Sequence, residues 1–103
     1  MIRVSVLYPN CAGSTFDMEY YREVHIPMVK AKLGSACLAV SVDHGMSGAD
    51  AGSKPDFLAL SHLTFESVST FQEAFGPNAG AIMADIPNYT NSQPVIQISD
   101  VIC

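Results

Sequence analysis

The sequence of 103 residues suffices for one domain, because two separate cores of half that size would each need metals or disulfides to hold together. Its net charge of −5 and its scattered fixed cations, Arg3, Arg22, Lys30, Lys32 and Lys54, argue against nucleic acid and anionic membrane as partners. Hydrophobic residues make up 49% of the chain and mean hydropathy is +0.23, more than a small monomer needs, so part of this apolar surface is expected in a subunit interface.

Ile2 to Tyr8 alternates, with Ile2, Val4, Val6 and Tyr8 on one face and Arg3, Ser5 and Leu7 on the other, and Pro9-Asn10 stops it, as expected for a first strand. The same opening residues lack the basic start, apolar run and cleavage site of a signal peptide, and no apolar run approaches spanning length. Cys11 begins a loop. Together with Cys37 and Cys103 it makes an odd, widely spaced set without C-x-x-C spacing, which predicts free thiols, a cytoplasmic location and neither a metal site nor a redox disulfide.

Ser14 or Thr15 is placed to cap a helix whose first turn carries Asp17 and Glu19. Phe16, Tyr20, Val24 and Met28 recur at intervals of four and predict one stripe. Pro27 cannot donate to the carbonyl four residues back, so the helix is expected to kink or restart there before ending at Gly34. Ala36 to His44 alternates as a second strand, Gly45 to Pro55 is a flexible loop, and Asp56 to Phe65 is a third strand with apolar residues on both faces. Ser67 caps a second helix containing Phe71 and Phe75 and closed by Gly76-Pro77. Ala79 to Asp85 adds a short helical segment, and Val95 to Val101 is the last strand.

The order β-α-β-β-α-β is the ferredoxin-like α+β pattern, in which two helices cover one face of a four-stranded antiparallel sheet. The other face would be bare in a monomer, and two such faces packed together make a dimeric α+β barrel, so a homodimer is expected.

Among residues able to carry chemistry, His25 titrates near neutrality and lies two residues before the helix-breaking proline. On local physics alone the commoner role for such a histidine is to cap the first half-helix or bond a carbonyl freed by Pro27. Tyr20 and Tyr21 point about 100° apart on a helix, and the spacing favours Tyr21, four residues before His25, as its partner. His62, among apolar neighbours in the third strand, is a candidate to line an internal cavity or a buried structural histidine. His44 and His62 are expected out of register, which argues against a metal centre with His25. The glycines of Gly45 to Gly52 fit neither a phosphate loop nor a calcium loop.

The run Leu7-Tyr8-Pro9, Gly13, Phe16-Asp17, Tyr20-Tyr21, His25-Ile26-Pro27-Met28-Val29 and Gly34 resembles the signature of the EthD family, named for a protein of ethyl tert-butyl ether degradation. Asp85-Ile86-Pro87-Asn88-Tyr89-Thr90, Pro94 and Gln97-Ile98-Ser99 resemble that family's end. Met28 stands where the pattern usually has leucine, a change of similar volume. The resemblance implies the dimeric barrel and a cavity beside the helix bearing His25. It also implies cofactor-free chemistry of dehydratase, decarboxylase or oxygenase type on a small, partly apolar compound. Carried over residue by residue, it implies His25 and Tyr21 as catalytic groups and Tyr20 and Tyr8 as substrate-binding groups. The alternative is a non-catalytic carrier or accessory protein of an ether- or aromatic-degrading oxidoreductase system.

Overall fold

The computed structural model describes residues 1–103. The first strand, β1 (Ile2–Pro9), leads into a helical rod made of α1 (Met18–Tyr20), a π-helical turn (Tyr21–His25) and α2 (Ile26–Leu33). Strands β2 (Ala39–His44) and β3 (Phe57–Phe65) follow. A second rod then comprises α3 (Val68–Phe75) and α4 (Ala79–Asp85), and β4 (Val95–Asp100) ends the fold. The four strands form one antiparallel sheet in the order β2-β3-β1-β4, the predicted ferredoxin-like α+β arrangement.

The first rod differs from expectation in three ways. Asp17, rather than Ser14 or Thr15, is its cap, accepting from the Tyr20 N–H at 3.1 Å. The expected restart falls one residue ahead of Pro27, and its form is a wide turn: the Ile26 N–H reaches back five residues to the Tyr21 carbonyl, and α2 begins at Ile26. Finally, the inward stripe is Tyr21, His25, Val29 and Leu33, all buried, while Val24 of the predicted stripe is 47% exposed. Counting only apolar residues had shifted that stripe by one position, because its second member is a polar histidine.

Gly34 ends the rod with φ of +61°, a left-handed conformation that favours glycine. Residues 34–36 then form a short 3₁₀ turn, which delays β2 to Ala39. Ser67 caps α3 as expected, accepting from the Thr70 N–H at 3.2 Å.

The face of β1 and β3 turned to the helices carries Val4, Tyr8, Ala59, Ser61, Leu63 and Phe65, all buried. One core cluster joins Ile2, Val4, Leu63 and Phe65 to Val29 and Leu33 of α2 and Ile82 of α4. A second, at the other end of the sheet, joins Tyr8, Tyr21, Ala59 and Tyr89 and is largely aromatic. Cross-strand register puts Ser5, Leu7, Leu60 and His62 on the opposite face with Ser41, Val95 and Gln97, and no helix covers them. No helix is long and apolar enough to cross a membrane.

Phe65 is fully buried in the first cluster, so Phe65→Ala is expected to destabilise the fold by about 3–5 kcal/mol, read from the midpoint of urea unfolding.

Candidate functional site

His25 leaves the π turn pointing inward and is 4% exposed. Its Nδ1 lies 2.8 Å from Oδ2 of Asp85, at the end of α4. The same carboxylate accepts from the Tyr20 hydroxyl at 2.7 Å and from the Asn88 side-chain amide at 2.9 Å. Burial pulls the Asp85 carboxyl upward, but hydrogen bonds from Asn88, Tyr20 and His25 outweigh it and hold the group below the usual carboxylate range. An ionised Asp85 only accepts, so His25 carries its proton on Nδ1 and its Nε2 is a lone pair. Burial pushes the imidazole below its ordinary value of 6.5, against the hydrogen bond and charge of Asp85. The ring is therefore neutral at pH 7 and able to accept a proton.

Around it stands a cage of aromatic rings. Tyr21 stacks on His25 with centroids 5.3 Å apart and planes 14° apart, and Tyr89 lies at 4.7 Å. The Tyr89 hydroxyl is 3.3 Å from His25 Nε2, and the Tyr8 hydroxyl is 2.7 Å from that of Tyr89. The Tyr21 hydroxyl does not reach His25. It donates to Ser61 Oγ at 2.8 Å across the sheet face. Burial, the largest influence on each, raises Tyr8, Tyr21 and Tyr89 above the ordinary phenol, so all three are neutral donors at physiological pH.

The cage forms one end of a cavity of about 220 Å³ between the sheet and the two helical rods. Tyr8, Tyr21, His25 and Ser61 line that end, and 14 of its 17 lining residues are hydrophobic. None is Lys, Arg, Asp or Glu. Met83 and Ile96 line the cavity yet remain 42% and 44% exposed, which places its mouth along the edge strand β4. Since an engineered cavity of roughly 150 Å³ accommodates benzene, this space suits a single substituted ring.

Of the residues singled out in the sequence, His25, Tyr21 and Tyr8 meet at this cavity. Tyr20 does not: its hydroxyl goes to Asp85, where it supports the carboxylate and raises its own pKa chiefly through that bond. His62 is also not at the cavity. Side chains alternate along a strand, so its neighbour Ser61 faces the cavity while His62 lies on the uncovered face, 2.8 Å from Ser5 Oγ. His44 pairs with Ala59, whereas His62 pairs with Ser41. No three His, Cys, Asp or Glu side chains stand close enough together to hold a metal ion.

Sequence reasoning assigned no role to Asp85, Tyr89 or Ser61. A signal existed for the first: an aspartate closing a helix faces the negative end of the dipole, so its position there needs another reason. Tyr89 follows four residues later.

The strand order and the caged histidine define a ferredoxin-like α+β protein with a small apolar cavity under its helices. The chain belongs to the EthD family, whose EthD domain model matches residues 14–93. A crystal structure of an EthD-like protein from Ralstonia eutropha JMP134 is 42% identical, with a TM-score of 0.94 over 99% of this chain and 92% of that one. An ethyl tert-butyl ether degradation family protein from Bacillus halodurans C-125 is 16% identical, with a TM-score of 0.74 over 99% of both chains. A dimeric ferredoxin-like protein of unknown function from Thermobifida fusca YX is 13% identical, with a TM-score of 0.58 over 97% of this chain and 90% of that one. Comparison with curated proteins finds no match.

The His25 ring is expected to titrate below 6.5 when followed by NMR. Asp85→Asn should move the midpoint lower still, because it removes the charge that favours the imidazolium. The sign for stability follows. With the folded value depressed, the unfolded chain binds more protons, so the contribution of His25 is complete above about pH 6.5 and is lost as pH falls from there toward the folded value. Asp85, also depressed, keeps its contribution until pH falls below 3.8 and through its folded value.

Proposed function

We propose that this protein is an enzyme that binds a small, partly apolar organic compound between sheet and helices and transfers a proton at His25, in a reaction of dehydratase, decarboxylase or cofactor-free oxygenase type. The observation that carries the reading is the neutral imidazole at the wall of an apolar cavity, with Asp85 fixing its tautomer from behind. A general base needs an imidazole lone pair open to a proton, here reached through the Tyr89 hydroxyl, and a carboxylate ready to stabilise the imidazolium. Tyr21 holds the ring plane by stacking, and Tyr8 closes the polar end of the site. The reaction as proposed uses no cofactor or metal.

The working unit in this reading is a homodimer in the cytoplasm, where its three free thiols stay reduced. The surface of the single chain, 6178 Å², exceeds the roughly 5,600 Å² that scaling gives for a monomer of 11.0 kDa. Leu7, Leu60 and Val95 cluster on the uncovered sheet face, and pairing two such faces would bury them. Leu60→Glu on this face is expected to convert a dimer into a monomer in analytical ultracentrifugation.

A second reading, a carrier of an apolar intermediate for an ether- or aromatic-degrading oxidoreductase system, draws support from the hydrophobic lining. The two separate on one variant. His25→Ala should still fold and dimerise but lose turnover of a cell-extract metabolite by about 10²–10⁴-fold, the usual weight of a general acid or base. Tight binding of that metabolite without conversion by the unaltered protein would favour the carrier.

A further inference from the structure

Counting hydrogens at the polar end of the cavity narrows what can bind there. A hydroxyl has one proton to give and two lone pairs to offer. Tyr21 gives its proton to Ser61 Oγ, and Ser61 makes no other side-chain hydrogen bond, so a serine 1% exposed keeps an unspent proton at the cavity wall. Along the other branch every proton is committed. His25 Nδ1–H donates to Asp85, so Nε2 must accept, and its partner is the Tyr89 O–H at 3.3 Å. With the Tyr89 proton used, the 2.7 Å contact between Tyr8 and Tyr89 has Tyr8 as donor. The three protons thus point away from the cavity toward Asp85. Tyr8, which lines the cavity, presents lone pairs to it.

The polar end therefore offers one free donor, on Ser61, and acceptors on Tyr8 and Tyr21, of which only Tyr8 leads on through Tyr89 to His25. A carbonyl or an ether satisfies only the first. A carboxylate or phosphate meets no cation in the lining and faces the Asp85 charge behind His25. A hydroxyl satisfies both. We propose that the compound bound at His25 is an uncharged, single-ring molecule whose polar end is an acidic hydroxyl, a phenol or an enol, held between Ser61 and Tyr8. This assignment rests on the acid/base reading of His25 and adds the substrate class to it.

The same chain gives the proton a route. The ligand O–H bond breaks as its proton passes to the Tyr8 oxygen. The Tyr8 proton passes to Tyr89, and the Tyr89 proton to His25 Nε2. No electron is transferred and no co-reactant is needed. The products are an oxyanion accepting from Ser61 and Tyr8 and an imidazolium paired with Asp85. A free phenol and a free imidazole differ by about 3–4 pKa units, burial of His25 widens that gap, and the hydrogen bonds from Ser61 and Tyr8 to the oxyanion narrow it. An aliphatic alcohol, far less acidic, lies beyond it.

Calorimetry with 4-methylphenol, methoxybenzene and benzoate tests the assignment, since the first two have equal numbers of heavy atoms and differ in the donor. The phenol is expected to bind about tenfold more tightly than the ether, and benzoate not at all. Tyr8→Phe should lower phenol binding to about the level of the ether while leaving ether binding unchanged, which also reports an intact cavity, whereas Ser61→Ala should weaken both ligands. With 4-nitrophenol held below its own ionisation midpoint, the phenolate colour should appear on binding and be lost in Tyr8→Phe, which keeps the ring and removes the relay oxygen. Should Tyr8→Phe fail to fold, Ser61→Ala still tests the donor, because losing its proton should weaken phenol and ether alike. Equal binding of phenol and ether, with turnover still lost in His25→Ala, would overturn the hydroxyl assignment and leave the acid/base reading standing. Colour retained in Tyr8→Phe would overturn the relay.

Discussion

The contact between His25 Nδ1 and Asp85 Oδ2 is the constraint on which the site depends. It ties the π turn of the first helical rod to the end of the second, across elements 60 residues apart in sequence. Neither group is stable in its place alone. A buried imidazole without a partner would leave a donor unsatisfied, and the carboxylate would keep Tyr20 and Asn88 but lose the third of the donors that hold it ionised. Together with Tyr20 and Asn88 they form a closed set, and no buried side-chain nitrogen or oxygen is left without a partner. The tautomer of His25, the lone pair on Nε2 and the direction of every proton back to Tyr8 follow from this one ionised carboxylate.

The backbone serves the same contact. An unbroken α-helix running into Pro27 would lack a donor and meet the proline ring in its preceding turn. Widening the turn at Tyr21–His25 removes that conflict and delivers two side chains, Tyr21 and His25, to the inner face together. Their rings then stack with planes nearly parallel, which restricts the imidazole to rotation in its own plane. Single π turns recur at functional sites because they change the aim of side chains without unfolding the helix.

Much of the fold was legible from alternation and punctuation alone. The strands have periods of two that survive inspection, and Gly34, Ser67 and Gly76-Pro77 mark ends that local chemistry enforces. The helix stripe was not, because a histidine at an inward position breaks an apolar pattern. Facing could not be read in β3, where both alternating sets contain apolar residues. His62 therefore looked as good a cavity residue as Ser61, and only the sheet register and the position of the helices separate them. Asp85 and Tyr89 stayed hidden for a different reason. Their roles arise from contacts across the whole chain, which no local period reports.

The two faces of the sheet are chemically divided, and the division bears on how such a small chain can hold a cavity. A void of about 220 Å³ forfeits packing in a domain with only 15 buried residues. The loss is concentrated at the open β4 edge, where Ile96 and Met83 are only partly covered. Away from the cavity, Phe65 and Ile2 are buried in the cluster they share with Val29, Leu33 and Ile82. Five of the seven residues of the first cluster, Val4, Val29, Leu33, Leu63 and Ile82, also form the apolar wall of the cavity, and the second cluster, held by hydroxyl pairs and ring edges, closes its polar end through Tyr8 and Tyr21. Hydrogen-bonded tyrosines suit that task better than aliphatic side chains would. They keep the cavity wall rigid through Tyr8, Tyr21 and Tyr89 while offering a line of oxygen atoms along which a proton can move.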